Sequence, residues 1–267
     1  MSDPFDPSDP VARWILALLD RHRRALSTSE FLKAVRALSA RYVERRSELG
    51  QRSPTDSAGK RAAFSGFFAP LHFLTVQAAV RALGAAEVGV HQIVDLGCGT
   101  GVGAAAWALA CPAPASISGV DREAWALDEA RWNWQQLGLV GRSRRGDLVT
   151  AASELLEAPR RRSSQALLLA WSVNEIGKDD RQRLLGVLLD AARTGTPILV
   201  IEPLSRRATP WWPEWASKWH EAGGRSDEWK FAVDLPPALD EISRAAGFQR
   251  EALGARTLWI HGRAGDA

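Results

Sequence analysis

Apolar residues recur at helical spacing through the first third of the chain, then gather into short solid runs separated by amphipathic stretches. Val11, Ile15, Leu18 and Leu19 share one face of "VARWILALLDRHRRAL", with arginines opposite, which predicts a first helix. A second begins at "STSE", where Ser27 and Glu30 have capping-box spacing. It continues through Phe31, Val35, Leu38 and Tyr42 and stops before Gly50. "QRSPTDSAGK" reads as a polar loop. The third helical stretch, "RAAFSGFFAPLHFLTVQAAVRALG", contains Pro70, which removes a backbone donor and crowds the preceding turn, so a break or kink is expected there.

From His91 onward the pattern alternates. "QIVDLG" reads as a buried strand, "VGAAAWALA" as a helix, "SISGVD" as a strand and "EAWALDEARWNWQQLG" as a helix. A weak strand near "RSRRGDL" follows, then the apolar strand "QALLLAWSV", the helix "DDRQRLLGVLLDAART" and the strand "TPILVIEP". "PALDEISRAAGF" is a last helix, and "FQREALGARTLWIH" is expected to fold as two strands of an antiparallel edge hairpin. Apolar strands joined by helices run parallel and are covered on both faces. The fold class is therefore α/β, a doubly wound, mostly parallel sheet with an antiparallel edge. Residues 1–60 form an N-terminal helical extension and residues 61–267 the main domain, with an aromatic insertion at about 205–232.

Composition narrows the setting. The chain has 267 residues, 46% hydrophobic and 24% charged, enough to bury a full core. No unbroken run approaches the roughly 18 apolar residues of a membrane span, and "MSDPFDPSDP" lacks the pattern of a signal peptide, so a cytoplasmic location is expected. Cys98 and Cys111 have neither metal-site nor disulfide-framework spacing, and the five histidines form no ligand pair, so no metal site is expected. Net charge is only +3, but twelve Arg or Lys stand against five Asp or Glu between Pro10 and Arg61. Basic helices of this kind can meet nucleic-acid phosphates, and an arginine-lined wet surface gives the same pattern.

The chemistry centres on "VDLGCGTGVGAAAWALA". Gly99, Gly101 and Ala104 satisfy the G-x-G-x-x-A dinucleotide fingerprint, the pattern of a dehydrogenase. Yet Asp95 ends the first strand two residues before the first glycine, and a carboxylate there opposes a pyrophosphate seated on a helix N-terminus. It suits an ammonium and a sulfonium better. Asp121 ends the second strand twenty residues after Gly101 and can accept ribose hydroxyls in either case.

With "GVDR" at 119–122, "RGDL" at 145–148 and "LLAWSVNEI" at 168–176, the chain resembles the class I S-adenosylmethionine-dependent methyltransferases over roughly residues 61 to 260. The resemblance implies that Asp95, Gly97, Cys98, Gly99 and Gly101 line the methionine moiety of S-adenosylmethionine. It implies that Asp121 with Arg122 holds the ribose, that Asp147 and Leu148 edge the adenine, and that Trp171 and Ser172 face the sulfonium. Within that superfamily, "NE" after the fourth strand, "EP" ending the fifth and the stretch "FFAPLHF" resemble a branch associated with the small ribosomal subunit. That branch commonly carries a cysteine cluster, and this chain has two cysteines.

Methyl transfer is an in-line displacement that needs alignment and exclusion of water, and a base only for a weakly nucleophilic acceptor. The Asp/Asn-Pro-Pro-aromatic signature of amino-methyltransferases is absent at the fourth strand. Asn174, Glu175 and Glu202 are the candidate catalytic residues. Trp211, Trp212 and Trp215 in "PWWPEWASKW" are candidates for an aromatic wall against a planar acceptor, with His72 a further acceptor-side candidate. A tryptophan stripe at helical spacing is equally the mark of a helix anchored on the core. The expected activity is methyl transfer to a small molecule or to ribosomal RNA. The alternative is a silent methyltransferase fold that uses its basic N-terminal helices in RNA binding or ribosome assembly.

Overall fold

The structure, a computed structural model, describes residues 9–24, 26–44, 55–157, 165–248 and 252–261. The end of the second predicted helix, "QRSP" at 51–54 and the terminal tails lie outside the described residues. The chain divides into two compact units, residues 1–72 with 230–253, and residues 73–229 with 254–267. The division falls at residue 72 instead of 60, and 230–253 belong with the first unit. Chain order alone does not reveal that a late segment returns to an early one.

In the first unit, α1 (Pro10–Arg23) starts on Asp9, whose carboxylate accepts from the Val11 N–H, and buries Trp14, Ile15, Leu18 and Leu19. Helix α2 (Thr28–Glu44) opens with the expected capping box: the Ser27 N–H donates to Glu30 Oε2 at 2.8 Å and the Glu30 N–H to Ser27 Oγ at 3.3 Å. α3 (Ala58–Ala63), capped by Ser57, runs into a π-helical turn at Phe64–Phe68 and then into α4 (Ala69–Leu83). Pro70 therefore does not break the helix. The turn before it is widened, the Ala69 N–H reaching Phe64 O, which absorbs the donor that Pro70 lacks. Among the described residues, Ala58–Leu83 is one helical stretch long and apolar enough by composition to cross a membrane, and 72% of its apolar window is buried inside the protein. Ser65, His72, Thr75 and Gln77 interrupt it, so no unbroken apolar run shows in the sequence. Phe67 stacks on Phe248, which follows α10 (Pro237–Ala245), with ring centroids 6.1 Å apart.

The second unit is built on the sheet. Its strands are β1 (Gln92–Leu96), β2 (Ser116–Asp121), β3 (Gly141–Arg145), β4 (Gln165–Ala170), β5 (Ile198–Glu202), β6 (Arg225–Ala232) and β7 (Ala252–Ile260), in the order β3-β2-β1-β4-β5-β7-β6. The β1–β2, β2–β3, β1–β4 and β4–β5 pairs are parallel, whereas β7 runs antiparallel to β5, Val200 facing Leu258. Among the described residues of 248–261 the expected hairpin is not formed. A single long strand, β7, lies between β5 and the edge strand β6. Helices α5 (Val102–Ala110), α6 (Ala124–Gln136), α7 (Leu148–Glu157), α8 (Lys178–Arg193) and α9 (Trp212–Glu221) join the strands. Periodicity does not predict α7; Asp147, accepting from the Val149 and Thr150 N–H groups at 2.9 Å, starts it as an N-cap. The chain reverses between β1 and β4, where one crossover leads to β2 and the next to β5, and ligands of such sheets bind at the carboxyl ends there.

Candidate functional site

At the carboxyl end of β1 the chain turns through Gly97, Gly99 and Gly101, all at positive φ (77°, 51° and 74°), a path that L side chains rarely take. Space adds a second demand. A Cβ on Gly97 would lie 2.5 Å from Ser172 Cβ, and one on Gly101 2.7 Å from the Trp134 ring. The loop is held from three sides. The Gly97 and Cys98 N–H groups donate to Val120 O at 2.9 and 3.0 Å, and the Gly99 N–H to Asp121 Oδ2 at 2.8 Å. From α6, Asn133 Nδ2 donates to Thr100 O at 2.9 Å and Trp134 Nε1 to Gly101 O at 2.8 Å. Sequence reasoning misses Asn133 and Trp134 as supports of the site. Their signal, a Trp and an Asn set adjacent on a helix, means nothing until α6 lies beside the loop. The Trp134 ring also fills the space over two further glycines, since a Cβ would approach it to 2.9 Å at Gly119 and 2.3 Å at Gly141.

Asp95 is the electrostatic centre. It is 1% exposed; its Oδ2 accepts from the Ala104 N–H in the first turn of α5 at 3.2 Å, and its Oδ1 has no hydrogen-bond partner in the protein. Burial lifts its carboxyl to about 7; the Ala104 N–H pulls it down and the Asp121 charge adds to the rise. Burial, together with Asp95 and Asp121, also pushes the Cys98 thiol well above its usual range, so it stays protonated. Cys98 and Cys111 are both free. Asp121 is half-buried, its Oδ1 accepting from the Glu123 N–H at 2.9 Å. Asp147 Oδ2 pairs with Arg122 while its Oδ1 caps α7. Partial burial would raise its carboxyl, but the Thr150 N–H and Arg122 outweigh that and hold it below the ordinary value. Leu148, the first residue of α7, is buried.

After β4 the chain enters a short 3₁₀ turn, Val173–Glu175. Trp171 has φ 58°, which no other non-glycine residue among those described shares in sign, and its N–H donates to Ile201 O at 2.8 Å. The Ser172 hydroxyl donates to Leu96 O at 2.9 Å, which ties the turn to the end of β1. Glu202, fully buried, accepts from the Val173 and Asn174 N–H groups on Oε1 at 3.1 and 3.2 Å and from Asn174 Nδ2 on Oε2 at 2.9 Å. The catalytic reading of Glu202 is thereby corrected. Glu202 is spent on the turn, and Asn174 gives it one N–H of its side-chain amide. Glu175 differs: it is exposed, at the end of the turn. Partial desolvation, with the charge of Asp121, raises its carboxyl to about 7 against the pull of Arg122.

The acceptor candidates on α9 are corrected as well. Trp211, Trp212 and Trp215 are 8%, 6% and 1% exposed and pack with Trp219 into the core formed by β4, β5 and α8. Trp215 stacks on Trp219 with centroids 6.3 Å apart, and Arg256 lies 5.1 Å over Trp212. The stripe anchors α9 and presents no open wall. His72 stands edge-on to Phe64 at 5.8 Å, in the first unit.

Residues 78–156, from within α4 to the end of α7, match the sequence family described as the methyltransferase small domain. Over that stretch the chain is similar to a methyltransferase domain. An O-methyltransferase family protein from Burkholderia thailandensis superposes with a TM-score of 0.54 at 14% identity, over 96% of this chain and 72% of that one. A candidate O-methyltransferase from Nostoc punctiforme PCC 73102 gives 0.50 at 15% identity, over 93% and 72%. At such identities the likeness shows the fold. No curated protein matches the chain in sequence.

The glycine loop fits S-adenosylmethionine as a ligand. An unpartnered, buried carboxylate oxygen at Asp95 answers an ammonium, and glycine backbone allows a ligand to lie close against the loop. Asp121 offers the remaining lone pairs of a carboxylate already oriented by two N–H groups. A pyrophosphate would meet that same Asp95 oxygen unfavourably.

Proposed function

We propose that the protein transfers a methyl group from S-adenosylmethionine to a small-molecule or RNA acceptor. Bound there, S-adenosylmethionine supplies an electrophilic methyl group on a sulfonium. The chain's own part is to hold the ammonium at Asp95, take the ribose at Asp121, keep Gly97 to Gly101 bare for close approach, and remove a proton from the acceptor. Glu175 is the group that removes the proton. Of the two carboxyl candidates it alone is not taken up by the turn's hydrogen bonds, and its carboxyl stands at about 7, near the pH at which a general base works well.

The observation that carries the reading is the partnerless Asp95 oxygen beside three left-handed glycines. Thermal denaturation with S-adenosylhomocysteine, and separately with NAD and NADP, tests it. Stabilisation is expected from the first alone. Stabilisation by a dinucleotide without any by S-adenosylhomocysteine refutes it. Incubation with S-adenosylmethionine carrying a labelled methyl group and with fractionated cell extract then locates the acceptor, and label that reaches no fraction despite tight binding sinks the enzymatic reading.

A further inference from the structure

The buried carboxylate at the end of β5 bonds to the segment that meets the donor loop. Residues 171–175 are pinned at four points. The Trp171 N–H is held by Ile201 O, the Ser172 hydroxyl by Leu96 O, and the Val173 and Asn174 N–H groups by Glu202 Oε1. Between the first and second of these points the backbone passes through φ 58° at a tryptophan. An L residue with a large side chain disfavours that region and keeps it only where the surroundings leave no alternative. The contact so enforced is tight, for a Cβ on Gly97 would come within 2.5 Å of Ser172 Cβ.

We infer that Glu202 is a positioning residue for methyl transfer: its carboxylate locks the 171–175 turn in one strained conformation that sets Ser172 against Gly97 and places Glu175. The inference rests on the proposed use of S-adenosylmethionine. Glu202 suits this role because a carboxylate accepts several hydrogen bonds at once, and this one takes three from two consecutive residues. Without it the two main-chain N–H groups lose their acceptor. The turn then relaxes at Trp171, where the strain is stored, and Ser172 leaves the donor loop.

The test is a double-mutant cycle on the full chain, reading S-adenosylhomocysteine affinity by titration calorimetry and melting temperature in parallel. Glu202→Ala is expected to weaken binding at least tenfold. In a Trp171→Gly background, where a left-handed backbone carries no penalty, the same change is expected to cost no more than threefold. Equal losses in the two backgrounds overturn the inference, since a role confined to fold stability predicts them. Should Glu202→Ala not fold, Glu202→Gln decides the matter: it keeps an oxygen for both N–H groups and is expected within threefold of wild type, and a tenfold loss there overturns the clamp. A wild-type protein that fails to bind S-adenosylhomocysteine counts instead against the proposed function.

Discussion

Asp95→Asn separates the stability of the protein from its proposed cofactor binding. The unliganded protein carries a buried carboxyl raised from 3.8 to about 7. At 1.36 kcal/mol per pH unit, holding it ionised above pH 7 costs about 4 kcal/mol relative to the unfolded chain. The sign follows from the direction of the shift. A carboxyl whose folded value is raised binds more protons folded than unfolded between about pH 4 and 7, so it makes the protein less stable as pH rises through that window, and the loss is complete above 7. An amide removes the ionisation but leaves its own NH₂ where Oδ1 now has no partner, at a cost of about 1–3 kcal/mol. The net gain is about 2 kcal/mol at pH 8.5, or roughly 4–8 °C for a chain of this size. Scanning calorimetry of both proteins at pH 5, 7 and 8.5 measures it. Asp95→Asn is expected to melt higher than wild type at pH 8.5 and to lose that advantage by pH 5, where wild-type Asp95 is protonated. With S-adenosylhomocysteine present at pH 8.5, the order reverses. An advantage independent of pH, or none at all, shows that Asp95 is not the strained carboxylate described.

Three further outcomes are expected. Gly101→Ala puts a methyl group within 2.7 Å of Trp134 at φ 74°; it should cost about 2–4 kcal/mol by chemical denaturation and abolish cofactor binding, and a neutral result removes the loop's steric argument. Trp215→Ala, at a site 1% exposed, should cost about 3–5 kcal/mol while leaving S-adenosylhomocysteine affinity within a fewfold of wild type in whatever protein remains folded. Once an acceptor is in hand, the wild-type rate should rise with pH through about 7 as Glu175 loses its proton, and Glu175→Gln should flatten that limb of the profile. A profile unchanged by the substitution assigns proton removal elsewhere.

What can be read from the sequence is whatever is written in consecutive residues. The solid apolar runs of β1, β4 and β5, the capping box at Ser27 and the glycine loop after Asp95 each depend on near neighbours, and each stands where periodicity puts it. The amphipathic α7 is hidden because its N-cap, Asp147, sits inside the "RGDL" motif that reads first as a ligand edge. The placement of β7 between β5 and β6 depends on pairing across more than fifty residues, which no local pattern encodes. Glu202 is the sharpest case at the site. Its chemistry suggests a catalyst, and only the arrival of Val173 and Asn174 from the neighbouring strand shows that its lone pairs are taken.

The Trp134 ring has a consequence for how this sequence can change. It occupies volume that three separate segments give up, the donor loop at Gly101, β2 at Gly119 and β3 at Gly141. Those four positions form one lock. None of the glycines can acquire a side chain while the indole is present, and a smaller residue at 134 opens a void that no single replacement fills. Descendants of this chain can therefore leave the arrangement only by several coordinated substitutions, which makes a tryptophan on a helix and three distant glycines a single inherited character.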